Sequence, residues 1–425
     1  MLNYTDTVRE LESRSIMPET APSLEPMHQG LKKLLSPALF KPKNTIVVAG
    51  TNGKGSVCAS LEALLRSAGM SVGLYTSPHL IQTTERIRIN GKDISEEEFC
   101  CVYQNVSEKT NDLKLTHFEM LTLMAAWCFF ADRSPVDWAI FEVGLGGLWD
   151  ATNAIPHETS IITTLGYDHQ NLLGNTLQEI AINKFGIISD QNTVIHSPLP
   201  PELSNLAAQV QLKTRSRWIP CTSYKTHTKS GTNPQFILET QWGSIPLALP
   251  GARAALNSST ALTAFSALGF SPENHLKALS PSGLIHWPGR MEKITLKNSP
   301  CPVYLSGDHN PDGVKSLLEL LPYYSRKTLH ILVGIGKDKD HNGILELLNQ
   351  IPNSQLYLTE TPFRGRKLEE YGSWVNQVRI AERDPQEALL RVLSYAHPED
   401  LVLVTGSLYL VGHLRSLSST LIAPT

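Results

Sequence analysis

The stretch from Thr45 to Ser60 reads TIVVAGTNGKGSVCAS. An apolar, β-branched run stops at Gly50, glycines at 53 and 55 flank Lys54, and a helical pattern, SVCASLEALLRSAG, follows. A strand that turns through glycine into a helix presents unpaired backbone N–H groups to an anion. Glycine lets that backbone close on phosphate oxygens. Lys54 adds a mobile positive charge, and the Ser56 hydroxyl is a ligand for the Mg²⁺ that accompanies a triphosphate. The spacing departs from the usual phosphate loop: Gly50 to Gly53 is shorter than GxxxxG, and Gly55 separates Lys54 from Ser56. On this stretch alone, an ordinary glycine-rich turn stays open.

Short apolar runs and helical patterns alternate beyond it. SVGLYTS, HFEMLTLMAAWCFFAD, VDWAIFEVG, SIITTLG, TLQEIAINKFGII and NTVIHS follow in order. Alternation of this kind predicts an α/β fold with a mainly parallel sheet covered on both faces. QFILET and GSIPLALPG read as an antiparallel excursion at a sheet edge. The pattern restarts after Pro288-Gly289, where CPVYLSG, GVKSLLELLPYY, KTLHILVGI, GILELLNQI, SQLYLTE, PQEALLRVLSYA and DLVLVTGS form a second α/β series. SPSGLIHWPGR has the Pro/Gly/Ser density of a linker. The expected division is a domain over 1–288, a linker at 289–296 and a second domain over 297–425.

A chain of 425 residues with 41% hydrophobic content has enough apolar material for two cores. A net charge of −3 leaves no electrostatic footprint for nucleic acid, so none is expected as a partner. Six cysteines without CxxC pairing read as thiols in a reducing compartment. The N-terminus, MLNYTDTVRELESRSIMPET, lacks the apolar core of a signal peptide, and LTLMAAWCFFA is too short to span a bilayer. The expectation is a soluble cytoplasmic protein without a membrane partner.

Two later strands end in chemically useful groups. Glu142 closes the apolar run of VDWAIFEVG, where a carboxylate needs a partner, and Asp168 and His169 follow SIITTLG. Carboxyl ends of parallel strands converge on the ligand crevice of an open sheet, so Ser56, Glu142 and His169 are expected to meet around phosphate and metal. Each has a plainer reading, Glu142 as a capping partner and His169 as a hydrogen-bonded core imidazole. Lys184 falls beside apolar residues in TLQEIAINKFGII; such a lysine usually snorkels to water or pairs with an acid. Composition and spacing do not decide its role.

In family order, GTNGKGS, YTSPHL, THFE, EVGLGG…DATN, GYDH, NKFGII, PGR, GDHNP, KDKD and TGSLYLVG resemble the folylpolyglutamate synthase/dihydrofolate synthase family of Mur-type ATP-dependent amide ligases. The resemblance runs over nearly the whole chain. It implies a Mur-ligase-like, two-domain architecture: a P-loop ATPase domain and a C-terminal Rossmann-like domain, with the active site in the cleft between them. By position, Thr51, Asn52, Gly53, Lys54, Gly55 and Ser56 match the loop that holds the phosphates of ATP. Ser56 and Glu142 match ligands of one Mg²⁺, and His169 and a carbamylated Lys184 match ligands of a second. Ser77, Pro78 and His79 match the loop shaping a pterin or folate pocket, and Asp150, Ala151 and Thr152 a segment at that pocket. Asn257 and Arg290 fall where the family contacts nucleotide, and His309 and Asn310 lie in its C-terminal nucleotide motif.

The chain departs from the family where Asp-Gly-Ala-His-Asn-Pro is Ser306-Gly307-Asp308-His309-Asn310-Pro311, which leaves Asp308 as the substitute acid. GGRLDATN is here Gly146-Gly147-Leu148-Trp149-Asp150, without the usual arginine, and the usual Glu-Lys-Ala-Gly-Ile is Asn183-Lys184-Phe185-Gly186-Ile187. The implied reaction joins L-glutamate to dihydropteroate, or to the γ-carboxyl of a reduced folate, after ATP converts the acid to an acyl phosphate. Lys54, His169 and Lys184 are its expected catalytic residues, and the family implies a monomer. The alternatives are folylpolyglutamate synthesis alone, a Mur ligase acting on a UDP-muramyl peptide, a GTPase switch and a non-catalytic relative. TSPHL and DATN argue against the muramyl substrate, and INKFG lacks the acid of a guanine-reading NKxD.

Overall fold

The computed structural model describes residues 3–16, 21–131, 135–297 and 299–421. The chain separates into two compact units: Met1–Lys225 with Glu239–Ala248 and Leu256–His286, and Thr226–Leu238 with Leu249–Ala255 and Trp287–Thr425.

Eight strands form the sheet of the first unit: β1 (Thr45–Ala49), β2 (Val72–Tyr75), β3 (Ile87–Ile89), β4 (Lys92–Asp93), β5 (Trp138–Glu142), β6 (Thr159–Ile162), β7 (Thr193–His196) and β8 (Arg217–Pro220). Their order is β4-β3-β2-β5-β1-β6-β7-β8, parallel throughout except at β3 and β4. β1, β2, β5 and β6 are buried along their whole length, which is why their sequences read as unbroken apolar runs rather than as alternation. The helix His117–Phe130 is likewise buried on nearly all sides. Its start is set by a reciprocal cap in which Glu119 N–H donates to the Thr116 hydroxyl and Thr116 N–H to the Glu119 carboxylate. Phe129 of that helix lies so close to Gly73 that a Cβ there would sit 2.4 Å from its ring, so the helix and β2 pack at backbone distance.

QFILET and GSIPLALPG do not extend this sheet. They form β10 (Gln235–Thr240) and β11 (Gly243–Pro246), which with β9 (Tyr224–Lys229) make a separate three-stranded sheet, ordered β11-β10-β9. β8 already occupies the outer edge next to β7, and β10 buries only its alternate residues Phe236 and Leu238, the pattern of a sheet with one wet face.

The second unit is built on six strands: β12 (Arg290–Ile294), β13 (Val303–Ser306), β14 (Leu329–Val333), β15 (Ser354–Thr359), β16 (Ile380–Glu382) and β17 (Leu401–Thr405), in the order β12-β13-β17-β14-β15-β16. All neighbours are parallel except β12 and β13. Residues 290–294, within the expected linker, thus form an edge strand. Met291 and Ile294 are buried there, the core-facing share that the Pro/Gly-rich text around them obscures. No helix among the described residues is long and apolar enough to cross a membrane.

Candidate active site

The connection after β1, through the helix Lys54–Ser67, runs toward β2, whereas that after β6 runs toward β7 on the other side. Opposed connections open a crevice at the carboxyl ends of these strands, where open α/β sheets bind ligands. The loop 50–53 occupies it. Gly50 takes φ 152°, and a Cβ on it would lie 1.8 Å from Thr163 Oγ1. Gly53 takes φ 90° in the left-handed region, and a Cβ there would lie 2.4 Å from Asn257 Oδ1. Neighbouring loops hold the turn. Thr51 N–H donates to the Thr164 carbonyl at 2.8 Å, Gly166 N–H to Thr51 Oγ1 at 3.0 Å, and the Thr163 and Thr164 hydroxyls to the Asn52 carbonyl at 2.8 and 3.0 Å. These contacts fix the turn that leads into the first turn of the helix, with Lys54, Gly55 and the buried Ser56, whose N–H groups have no partner within the helix.

Two lysines converge here. Lys54 Nζ donates to the Gly50 carbonyl at 3.1 Å and to the Thr51 carbonyl at 3.4 Å. Lys184, on the helix Leu177–Phe185, donates to the same Gly50 oxygen at 2.9 Å and is only 4% exposed. It does not snorkel, and among the described residues it forms no ion pair with an acid. Burial, and then the charge on Lys54, push its amine down to about 7, against the pull of Asp168 and Asp150.

Glu142 ends β5 opposite Val48, one residue before Ala49 closes β1. It is buried, and Ser77 N–H donates to its Oε2 at 3.1 Å. The Cys58 thiol on the loop-led helix feels both Glu142 and Lys54: burial, reinforced by Glu142, pushes it well up while Lys54 opposes. On the other flank, three residues beyond Gly166, His169 has left-handed backbone at φ 51°. Its N–H donates to Asp168 Oδ1 at 2.9 Å, and its Nε2 lies 3.9 Å from the same oxygen. Ser56, Glu142, His169 and Lys184 therefore stand on segments at one edge of the sheet. Among the described residues no three His, Cys, Asp or Glu side chains form a metal-binding group.

The loop after β2 carries Ser77, Pro78 and His79. Glu85 braces it by accepting from Leu80, Ile81 and Gln82 N–H at 2.7, 2.8 and 2.8 Å. His79 Nδ1 accepts from Arg86 Nε at 2.9 Å. Burial and the Arg86 charge push this imidazole down to about 3, so it is neutral. Asp150 organises the loop after β5. Its carboxylate accepts from Gly144 N–H and Leu145 N–H at 3.1 and 3.0 Å and from the backbone and hydroxyl of Thr152 at 3.0 and 2.6 Å. Ala151 and Thr152, which follow it, are buried as well.

In the second unit, Arg290, Asp308, His309 and Asn310 gather where β13 ends. Asp308 is buried, accepts from the Ser306 hydroxyl at 2.7 Å and is ion-paired to Arg253. Burial pushes its carboxyl up, but Arg253, Arg290 and Ser306 outweigh that and hold it below the usual range. His309 Nδ1 faces the Gly307 carbonyl at 2.9 Å, and Asn310 Oδ1 caps the following helix by accepting from Gly313 N–H at 2.7 Å. Sequence reasoning missed Arg253, Thr163, Thr164 and Arg86. Only Arg253 left a signal: a displaced acid at 308 needs a cation.

Residues 289–408 match the Mur ligase, glutamate ligase domain. Over 413 residues, 93% of this chain and 94% of the relative, the chain is 31% identical to dihydrofolate synthase/folylpolyglutamate synthase of Bacillus subtilis strain 168. The chain belongs to the dihydrofolate synthase/folylpolyglutamate synthase family. Folylpolyglutamate synthase of Lacticaseibacillus casei is also 31% identical, over 97% of this chain and 98% of the relative. A crystal structure of a bifunctional folylpolyglutamate synthase/dihydrofolate synthase with Mn, AMPPNP and L-glutamate bound matches with a TM-score of 0.83 at 27% identity, covering 98% of both chains. The two-domain Mur-ligase-like architecture expected from the sequence is that of this dihydrofolate synthase/folylpolyglutamate synthase family.

Proposed function

We propose that this chain is an ATP-dependent ligase that adds L-glutamate to dihydropteroate, forming dihydrofolate, and to the γ-carboxyl of reduced folates. The observation that carries the reading is the convergence of Lys54 and the buried Lys184 on the Gly50 carbonyl, at the edge where Glu142 ends β5. The bifunctional relatives of Bacillus subtilis and of the Mn, AMPPNP and L-glutamate complex support the substrates.

A carboxylate does not react with an amine at neutral pH, because oxide is a poor leaving group. Transfer of the γ-phosphoryl of ATP to that carboxylate forms a C–O–P bond and releases ADP. The amine of glutamate then attacks the acyl carbon, the C–O bond breaks, and phosphate leaves. The loop 50–55 binds the phosphates through its N–H groups, and Lys54 turns from its carbonyls to offset their charge. Ser56 and Glu142 are hard oxygen donors suited to Mg²⁺, with Glu142 fixed in place by Ser77 N–H. Two Mg²⁺ ions, when bound, neutralise the charge that keeps carboxylate and triphosphate apart. His169 and Lys184 serve the second ion.

A lysine serves as a metal ligand here only as its carbamate. An amine held near 7 is partly neutral at physiological pH, and the neutral amine adds to CO₂ with release of one proton. The product anion beside Lys54 replaces repulsion with attraction. Asn257, whose buried Oδ1 has no hydrogen-bond partner among the described residues, offers an acceptor beside Gly53 for the nucleotide. Arg290, Asp308 and His309 are read as nucleotide-binding residues from the family motifs they match, and 1–288 is read as carrying the phosphate and acid sites. Ser77, Pro78, His79 and the loop built on Asp150, Ala151 and Thr152 receive the acid. We place the enzyme in the cytoplasm as a monomer.

The test measures glutamate-dependent ADP release with dihydropteroate, tetrahydrofolate and a UDP-muramyl peptide in parallel. Turnover with the first two is expected. Stimulation by the muramyl peptide alone defeats the folate reading, and stimulation by tetrahydrofolate alone removes the dihydrofolate synthase half.

A further inference from the structure

Trp149 is 52% exposed, an unusual place for an indole, yet the loop that carries it is among the most constrained near the site. On one side Asp150 ties it down through Gly144 and Leu145. On the other, Leu148 N–H donates to the Asn183 carbonyl at 2.7 Å, and Asn153 Nδ2 donates to the carbonyls of Leu148 and Gly186 at 3.0 and 3.1 Å. Gly147 and Gly186 allow the closest approach. A Cβ on Gly147 would lie 2.8 Å from the Asn183 carbonyl, and one on Gly186 would lie 2.4 Å from Leu148 Cβ. The loop thus lies directly on the helix whose Lys184 reaches Gly50. Its other end follows Glu142. A rigid backbone holds a large aromatic group in water, one loop away from the carboxylate and lysine that frame phosphoryl transfer.

The surroundings favour a flat apolar ligand over a charged one. Leu172 and Ile182, 55% and 50% exposed, belong to the two helices that Asn183 links to this loop by accepting from Leu148 and donating to the Leu173 carbonyl. Ile81, 38% exposed, lies in the loop after β2, the strand paired with β5. Residues 143–149 contain no charged side chain. Exposed apolar side chains on the segments tied to this loop offer apolar surface, and an indole offers a planar face on which conjugated rings stack.

We propose that Trp149 is a substrate-binding platform on which the conjugated ring system of the acid substrate stacks, while its carboxylate reaches toward Glu142 and Lys184. The inference rests on the folate reading above. Stacking on a pre-positioned indole adds binding that is equal in the ground and transition states, so it acts on KM for the acid and leaves kcat unchanged.

The experiment compares wild type, Trp149→Phe and Trp149→Ala in steady-state ADP release and in tryptophan emission titrated with dihydropteroate. Trp149→Ala is expected to raise KM for dihydropteroate about 10-fold, in line with the worth of one aromatic stack, with kcat and KM for ATP unchanged. Trp149→Phe, which keeps a ring, is expected to stay within about 3-fold of wild type. Its emission should lose most of the quenching that dihydropteroate causes in the wild type, although six other tryptophans remain of the seven. Equal KM values and equal quenching in all three proteins overturn the platform while leaving the folate reading intact. A wild-type enzyme that neither turns over nor responds to dihydropteroate or tetrahydrofolate overturns both. If Trp149→Ala instead changes sedimentation and not KM, the indole is covered by a second copy of the chain and the proposal fails.

Discussion

The amines of Lys54 and Lys184 meet on one oxygen: each donates to the Gly50 carbonyl, at 3.1 and 2.9 Å. Two cations cannot share one carbonyl in a buried site without cost, and the burden falls on Lys184, the more buried of the two. The proposed carbamate on Lys184 would remove that conflict and make an anionic ligand. Lys184→Ala is therefore expected to reduce turnover at least about 10³-fold, the loss typical of a charge-stabilising group. Bicarbonate should not rescue it, since no amine remains, whereas acetate or propionate should restore part of the rate. Turnover at the wild-type level in Lys184→Ala removes the carbamate from the mechanism.

Glu142 allows a cleaner test of the metal, because its Oε2 already accepts from Ser77 N–H and a glutamine can keep that bond. Glu142→Gln should fold normally and lose the negative charge alone. Weakening of metal affinity by about 10–100-fold is expected, read from Mn²⁺ binding in the presence of AMPPNP by electron paramagnetic resonance. Unchanged Mn²⁺ affinity in a folded Glu142→Gln protein means that this carboxylate is not a ligand.

Gly53 constrains the loop 50–53 in two respects. Its φ of 90° costs an L-residue about 1–2 kcal/mol, and a Cβ would press to 2.4 Å from Asn257 Oδ1. Gly53→Ala is expected to raise KM for ATP at least about 10-fold through displaced N–H donors, at a smaller loss of Tm. Adding Asn257→Gly should recover part of the Tm, because it removes the clash and not the backbone strain. An alanine variant with wild-type KM for ATP shows that the loop binds phosphate without this turn.

The turn at 45–56 was legible because a β-branched run, three glycines and a helical pattern are local features, and locality is what a single sequence displays. The alternating strands and helices were legible for the same reason. Strand order was not, since β1 pairs with β5 and β6, distant in sequence, and pairing of that kind leaves no local mark. Lys184 shows the limit within the site. Its helical setting predicts snorkelling, and the contact that replaces it spans 134 residues. Asp308 was singled out only as a displaced acid; that acid calls for a cation, but only the structure shows that the cation is Arg253. The Pro/Gly-rich stretch before Arg290 concealed β12 because an edge strand needs few buried residues, here Met291 and Ile294.

That ion pair makes a stability prediction. Asp308 is almost wholly buried, whereas Arg253 is a quarter exposed. Arg253→Met leaves a buried carboxylate with the Ser306 hydroxyl and the Arg290 charge, and should cost about 3 kcal/mol in urea unfolding. Asp308→Asn in the Arg253→Met background should cost less than the sum of the two single changes, because the second no longer breaks a pair. Strict additivity in this cycle shows the two side chains to be independent.

The acid limb of stability belongs to buried imidazoles. Both ring nitrogens of His157 face carbonyls, Nδ1 the Ile155 oxygen at 2.7 Å and Nε2 the Ile187 oxygen at 2.9 Å. A neutral ring donates only one of these bonds, yet burial outweighs the pull of both carbonyls and pushes the ring below its ordinary value. Burial, with the Arg86 charge, holds His79 near 3, and burial pushes His196 down as well. In the unfolded chain all three take up a proton near 6.5, while in the fold they resist until lower pH. Their contribution is therefore full above about 6.5 and falls as pH drops toward the folded values, by up to about 1.4 kcal/mol per pH unit for each ring, whereas the depressed Lys184 amine acts at higher pH, down to about 7. Asp150 and Glu62, which burial pushes up, contribute with the opposite sign, so the histidine share is read by difference. The urea midpoint of the wild type should fall between pH 7.5 and 5, and that of His157→Gln, which cannot charge, should fall less steeply. Parallel curves for the two proteins place the acid sensitivity at other groups.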